Sequence, residues 1–214
     1  AAIAAGLTTA AIGSETAGSI RQPAAWCGVV GFKPSYGRVS RYGVIAMASS
    51  TDSPGPIGRT VNDCAIILEV IAGKDKKDAT TTPNSVESYS SSLTKKDLVG
   101  VKVGLIKEYL MSSMSEEVKK LILDAAEKLK QLGATVEEVS LMDPKYAIGV
   151  YTVLQRSEVS SNLARFDGIR FGHDRGVFNA ENKRRIMLGT YTLSSGYYDA
   201  FYKKAEKARQ LIIQ

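Results

Sequence analysis

Apolar and polar positions along the chain alternate between two periods, and the changes of period mark the elements. Leu7 to Ile12 is a short apolar run and predicts a buried strand. Ala1 to Ala5 before it reads as the tail of a small-residue helix closed by Gly6. Val29 to Phe32 is a second apolar segment, and Ser50 to Gly58, rich in Ser, Pro and Gly, reads as loop. From Thr60 the period becomes helical, with Val61, Cys64, Ile67, Leu68 and Ile71 on one face. Thr60 stands as the cap, Asp63 three residues on completes a capping box, and Gly73 ends the helix.

Residues 74–94 are polar and predict a long surface connection. A strand follows from Val99 to Ile106. Ser115 then caps a helix whose stripe is Val118, Leu121, Ile122, Ala125, Leu129 and Leu132, ended by Gly133. Ala134 to Leu141 is another strand, so this stretch predicts a right-handed βαβ unit with its two strands parallel. Asp143-Pro144 starts a helix that runs to about Phe166 with a bend at Gly149. Two more helices are expected, over Glu181 to Leu193 and Tyr197 to Ile213. The pattern as a whole predicts an α/β fold in a single domain over residues 1–214. The first helix looks cut at Ala1 and the last simply stops at Gln214, so an internal fragment is expected.

Composition narrows the function classes. The 214 residues are 44% hydrophobic and 23% charged, enough for one sizeable core and against wholesale disorder. A net charge of +6 suits an acidic partner, but the lysines and arginines are spread out and not interleaved with aromatics, which argues against a dedicated nucleic-acid face. Cys27 and Cys64 form no CxxC pattern, so neither a disulfide framework nor a metal site is expected; Cys27 reads as a small packer. No run is apolar and long enough to cross a bilayer, and no signal peptide opens the chain. The lone His173 lies in a polar stretch and reads as an exposed loop residue, which leaves no histidine for a Ser-His-Asp triad.

The segment with the most chemistry is Gly13-Ser14-Glu15-Thr16-Ala17-Gly18-Ser19-Ile20-Arg21-Gln22-Pro23. It sets a serine at the end of a tight loop of small residues. Successive N–H groups of such a loop can converge on one point, as an oxyanion requires, and a serine beside them is a candidate nucleophile. A glycine-rich turn with no chemistry is the other reading of the loop taken alone.

The longer stretch from Gly13 to Ser40 resembles the amidase signature family, whose pattern runs G-[ST]-D-T-G-G-S-I-R-x-P-A-x-x-C-G-x-x-G-x-K-P-[TS]-x-G-R. The match is ungapped. Gly37 to Gly43 and the block from Lys183 to Tyr202 are similar to the branch of that family that hydrolyses glutamine for tRNA-dependent amidotransferases. The resemblance implies a mixed β-sheet flanked by helices on both faces, incomplete at both ends. It implies that Ser19 forms the acyl-enzyme, that the amides of Thr16, Ala17 and Gly18 form the oxyanion hole, and that Arg185 holds the substrate carboxylate. Tyr151 either touches the substrate amide or packs in the core. Arg21 is either a carboxylate clamp or one half of an ion pair beneath the loop, and Arg185 is otherwise a helix-surface arginine.

The resemblance further implies glutamine as substrate, B and C partner subunits in a heterotrimer, and ATP, Mg and tRNA handled mainly by the partner. No P-loop occurs here, in keeping with that. No cofactor or metal is expected on this chain, nor a membrane, and the compartment would be the cytoplasm or an organellar matrix. The rival readings are a stand-alone amidase for small amides and a non-catalytic scaffold derived from the fold.

Two departures stand in the motif. Ala17 replaces a glycine; a positive φ there would cost about 1–2 kcal/mol. Glu15 replaces the shorter aspartate. The lysine and the bridging serine that activate the family's nucleophile lie upstream in its order and have no counterpart in these residues, so the 214 residues alone are expected to be inactive. The segment between His173 and Lys183 is shorter than in the family. The aromatic cluster Tyr197, Tyr198, Phe201 and Tyr202 is expected to pack on the core, with a partner helix as the alternative.

Overall fold

A computed structural model describes residues 1–94, 97–110 and 113–214. Their contacts fall into two compact units. One comprises Ala1–Leu93 and Gln155–Ser195, the other Thr94–Leu154 and Gly196–Gln214.

The first unit is built on a three-stranded antiparallel sheet in the order β1-β3-β2, with β1 Ala11–Glu15, β2 Val30–Gly31 and β3 Ser53–Gly58. The expected strand over Leu7 to Ile12 is therefore displaced toward Glu15. Leu7 is 82% exposed, whereas Gly13 and Glu15 pair with Gly55 and Ser53. Ala1 to Ala5 forms turns in place of a helix tail, with the Ala5 N–H on the Ala1 carbonyl at 2.9 Å and Gly6 at φ +76°.

A larger correction concerns Ser50 to Gly58. The stretch that reads as loop supplies the central strand. Pro54 and Pro56 make it look unfit, because proline donates nothing to a ladder. They stand two apart, opposite Ser14 and Ile12. The Pro56 carbonyl accepts from the Phe32 N–H at 3.0 Å, on the β2 side. The Pro56 ring nitrogen therefore faces the β2 side, and that of Pro54, two residues away, faces the same way, so neither removes a donor from the ladder with β1.

Against this sheet lie α1 (Arg21–Trp26) and α2 (Val61–Ile71). The capping box of α2 forms as its sequence predicts: the Thr60 hydroxyl accepts from the Asp63 N–H at 3.1 Å, and the Asp63 carboxylate accepts from the Thr60 N–H at 2.9 Å. Cys64, Ala65 and Leu68 are its buried side. The polar connection after it is ordered by short-range hydrogen bonds. Arg38 reaches the carbonyls of Asn84 and Ser85 and the Tyr89 hydroxyl, and Glu69 accepts from the Ser90 N–H at the one-turn helix α3 (Tyr89–Ser92).

The second unit holds the predicted βαβ stretch. β4 (Lys102–Ile106) pairs in parallel with β5 (Thr135–Val139), and α4 (Glu116–Gln131) joins them. Ser115 caps α4 by accepting from the Val118 N–H at 3.3 Å. Helix α5 (Pro144–Leu163) begins at the predicted proline and contributes its residues from Gln155 on to the first unit.

In the first unit α6 (Ala180–Leu193) meets that part of α5 closely. A Cβ on Gly189 would lie 1.9 Å from the Arg156 carbonyl oxygen, so only glycine permits the approach. The hydroxyls of Ser157 and Thr192 bond at 2.7 Å in the same buried contact.

The chain's last predicted helix divides into a π-helical turn, Asp199–Lys203, and α7 (Lys204–Ile213). Its aromatic cluster does not enter a core in this unit. Tyr198 stacks on Tyr202 at 5.2 Å and Tyr197 lies 6.1 Å from Phe201, with Tyr197, Tyr198 and Phe201 exposed.

The α2 cap gives a direct test. Thr60→Ala is expected to lower stability by about 1 kcal/mol, read from the urea midpoint, while Thr60→Ser keeps most of it.

Candidate active site

Ser19 stands at the end of a loop that leaves the sheet at Glu15 and enters α1 at Arg21. The loop is held from below. Glu15 is fully buried. One of its carboxylate oxygens accepts from the Ile20 N–H at 3.0 Å and the Arg21 N–H at 3.1 Å; the other takes the Arg21 Nε–H at 2.8 Å and pairs with its guanidinium. Of the two readings of Arg21, the ion pair beneath the loop is the one the structure contains. The longer carboxylate at position 15 spans the distance without difficulty.

The residue after Ser19 supplies the second anchor. Ile20 is fully buried and its side chain sits over the glycine pair of the sheet, Gly13 opposite Gly55. A Cβ on Gly13 would come within 3.1 Å of Ile20 Cγ1, and one on Gly55 within 3.2 Å of its Cδ1 and 2.2 Å of the Phe32 carbonyl oxygen. Glycines on neighbouring strands thus form the notch that receives Ile20.

Above these anchors the loop is open. Ser19 is exposed, Ala17 is exposed, and Gly18 takes φ +106°. No residue other than glycine has a positive φ among the described residues, so Ala17 carries none of the strain that a left-handed position would impose. The turn falls on Gly18, where a side chain would meet almost nothing but the backbone forbids it.

The amides of Ala17 and Ser19 make no hydrogen bond among the described residues, while the Gly18 N–H lies toward the Glu15 carboxylate. The pairing of β1 with β3 ends at Glu15, so this stretch takes no part in the ladder. The serine hydroxyl is therefore neither sealed inside nor flanked by amides spent on a sheet.

The electrostatics favour an ionised Glu15. Burial pushes its carboxyl up, but the Arg21 guanidinium and the amides of Arg21 and Ile20 together outweigh that and hold it below the ordinary carboxylate value.

The remaining predicted residues are placed as follows. Arg185 is half-buried on α6, in the same unit as Ser19. Its Nε–H goes to Glu181 at 2.7 Å, one turn earlier. Its terminal nitrogens make no hydrogen bond among the described residues. Tyr151 is half-buried on α5 and belongs to the second unit. Thr16 is half-buried at the start of the loop. His173 is exposed, and no group of three or more metal-ligating side chains occurs among the described residues. Among the described residues no helix is long and apolar enough to cross a membrane.

Sequence reasoning missed Asp52. It is 3% exposed just before β3 and ties the preceding loop by accepting from the Met47 and Ala48 N–H groups at 2.8 and 3.0 Å. Lying in a Ser- and Pro-rich run that reads as loop, it carries no periodic signal.

A strand, a small-residue loop ending in an exposed serine, and a short helix, with a buried carboxylate beneath, are parts that an acyl-transfer site calls for, and they stand on a mixed α/β fold. The chain belongs to the amidase family, which it matches over residues 1–214.

Among curated relatives it is 53% identical, over its whole length, to the A subunit of glutamyl-tRNA(Gln) amidotransferase from Sulfurihydrogenibium sp. strain YO3AOP1, and it spans 47% of that protein. The crystal structure of the Thermotoga maritima protein of the same name superposes with a TM-score of 0.77 at 42% identity, over 99% of this chain and 44% of that one. The native peptide amidase of Stenotrophomonas maltophilia gives a TM-score of 0.71 at 31% identity, over 97% and 45%. The chain thus spans about half the length of the relatives it matches.

The anchoring of the loop can be tested at two positions. Glu15→Gln is expected to cost about 1.5–3 kcal/mol through its charged hydrogen bonds. Because the folded-state pKa of Glu15 is depressed, its contribution is present above the unfolded value and disappears as pH falls through the folded one. Chemical denaturation from neutral pH down into the acid range should show that slope in the parent and less of it in Glu15→Gln. Gly18→Ala is expected to cost about 1–2 kcal/mol, since the added Cβ has room but a disfavoured φ.

Proposed function

We propose that the chain carries the nucleophile loop of the glutamine-hydrolysing subunit of a glutamyl-tRNA(Gln) amidotransferase. The observation that carries this reading is the exposed Ser19 beside unengaged loop amides, with Ile20 and Glu15 fixing the backbone on the far side. The 53% identity to the Sulfurihydrogenibium protein supports the choice of substrate class.

In this reading the Ser19 Oγ attacks the side-chain carboxamide carbon of glutamine. The carbonyl oxygen gains negative charge and is received by the amides of Ala17 and Ser19; of the amides expected from the sequence, that of Gly18 is turned to the Glu15 carboxylate. Each such donor contributes about 3–4 kcal/mol at the transition state. Collapse breaks the C–N bond, the nitrogen leaves as ammonia after taking a proton, and water then releases glutamate from the acyl-serine. A lysine acting through a serine takes the Ser19 proton in the family's scheme.

Arg185 binds the α-carboxylate through its terminal nitrogens while Glu181 holds its Nε–H, an arrangement that leaves the paired face of the guanidinium free for a bidentate contact. The B and C subunits would complete the heterotrimer, with ATP, Mg and Glu-tRNA(Gln) on the partner side and ammonia passed to it. The assembly would work in the cytoplasm or an organellar matrix.

A stand-alone amidase is the second reading, favoured by the likeness to peptide amidase. The two departures that pointed to a bare scaffold, Ala17 and Glu15, leave the loop unstrained and firmly held.

The test is a hybrid in which these 214 residues replace the matching segment of the Sulfurihydrogenibium relative, assayed with that relative's partner subunits. Ammonia release from glutamine should fall by about 10⁴-fold or more in Ser19→Ala. Arg185→Ala should raise KM for glutamine while leaving turnover of carboxylate-free amides little changed. The 214 residues alone should show no Ser19-dependent hydrolysis. Equal activity of parent and Ser19→Ala hybrids would defeat the reading, and turnover of simple amides ahead of glutamine would shift it to the stand-alone amidase.

A further inference from the structure

The turn that carries Ser19 into α1 sets a further polar side chain beside it. The Gln22 N–H donates to the Gly18 carbonyl at 2.8 Å and the Ala24 N–H to that of Ile20 at 3.2 Å, and Ile20 has right-handed helical angles, φ −96° and ψ −54°. These bonds wind Ser19 and Gln22 into one helical turn. Residues three apart on such a turn are neighbours, with about 5–6 Å between their Cβ atoms. A helical side chain also leans toward the N-terminus and covers the turn before its own Cα. For Gln22 that turn is Gly18-Ser19. Beyond the neighbours of Gly18 in the chain, the Gln22 Cβ is the one heavy atom within 4 Å of where a Cβ on Gly18 would lie, at 3.9 Å.

The other side chains of this turn are already engaged. Arg21 goes to Glu15, and Ile20 is buried over Gly13 and Gly55. Gln22 is exposed, and its carboxamide makes no hydrogen bond among the described residues. A primary carboxamide held at Ser19 places its carbonyl oxygen on the loop amides, which leaves its NH2 group in need of an acceptor. Backbone amides are donors and cannot serve, and both oxygens of the Glu15 carboxylate are bonded beneath the loop. The Gln22 Oε1 is the acceptor that the turn offers on the open side.

We infer that Gln22 is a specificity-determining residue whose Oε1 accepts an N–H of the substrate carboxamide, a role that rests on the reading of Ser19 as the nucleophile toward glutamine. The contact selects amides over the matching esters. An ester presents an alkoxy oxygen where the amide presents N–H, so two acceptors would face each other. The group recognised is the one that leaves. The contact therefore acts on formation of the acyl-serine, which kcat/KM reports, and not on its later hydrolysis, which is common to both substrates.

The experiment uses the hybrid of these residues with the Sulfurihydrogenibium relative, assembled with that relative's partner subunits. Glutamine and glutamate γ-methyl ester are supplied separately, and glutamate formation is followed. Both hydrolyses should disappear in Ser19→Ala. Gln22→Leu should lower kcat/KM for glutamine by about tenfold, the strength of one hydrogen bond, and change that for the ester by less than about threefold. Gln22→Glu keeps an acceptor while losing the amide donor, and should hold most of the parent's preference for the amide. An unchanged amide-to-ester ratio in Gln22→Leu would overturn the inference, while Ser19-dependent hydrolysis left the nucleophile reading standing. Equal losses on both substrates in Gln22→Leu and Gln22→Glu would make Gln22 a donor or a mere support of the loop, and would overturn it too. Hydrolysis that survives Ser19→Ala would remove the nucleophile reading itself, and the role of Gln22 with it.

Discussion

The buried carboxylate of Glu15 is the constraint on which the site depends. A charge taken wholly out of water is tolerable only when its bonds replace those it lost, and here they come from the very peptide groups that follow Ser19. The loop cannot relax without uncovering that charge. The Arg21 guanidinium, itself largely exposed, closes the arrangement at modest desolvation cost. Ile20 adds a non-polar anchor at the same point, seated over two glycines from neighbouring strands. Rigid support on one side and open amides on the other are what a preorganised oxyanion site requires.

Much of this was legible in the residues. The Thr60 and Asp63 capping box, the Ser115 cap and the strand-helix-strand order through Val139 all follow from local chemistry, and local chemistry is what a single sequence displays. The Gly13 to Ser40 motif pointed to the family to which the chain belongs and to the loop that ends at Ser19. What was hidden depended on partners far along the chain. Pro54 and Pro56 suit a loop until β1 and β2 are known to flank them. Asp52 gives no signal until the amides of Met47 and Ala48 turn toward it. Ala17 looked strained because its φ could not be read, and the turn in fact falls on Gly18.

The aromatic cluster near the C-terminal end teaches the same lesson in reverse. Helical spacing of Tyr197, Tyr198, Phe201 and Tyr202 suggested a core-facing stripe. The rings instead satisfy one another as pairs four residues apart, on a turn wound more loosely than an α-helix. Periodicity records which side chains are neighbours along a helix, and such neighbours can pack on one another.

The two prolines of the central strand act as a key to its alignment. Slide β3 by a single residue against β1 and both ring nitrogens turn toward β1, where two carbonyls would lose their donors while every buried side chain changed face. The same slip would part Gly13 from Gly55 and close the notch under Ile20. Residues that look like strand breakers thereby leave the sheet a single way to assemble, and it is the one that seats the loop bearing Ser19.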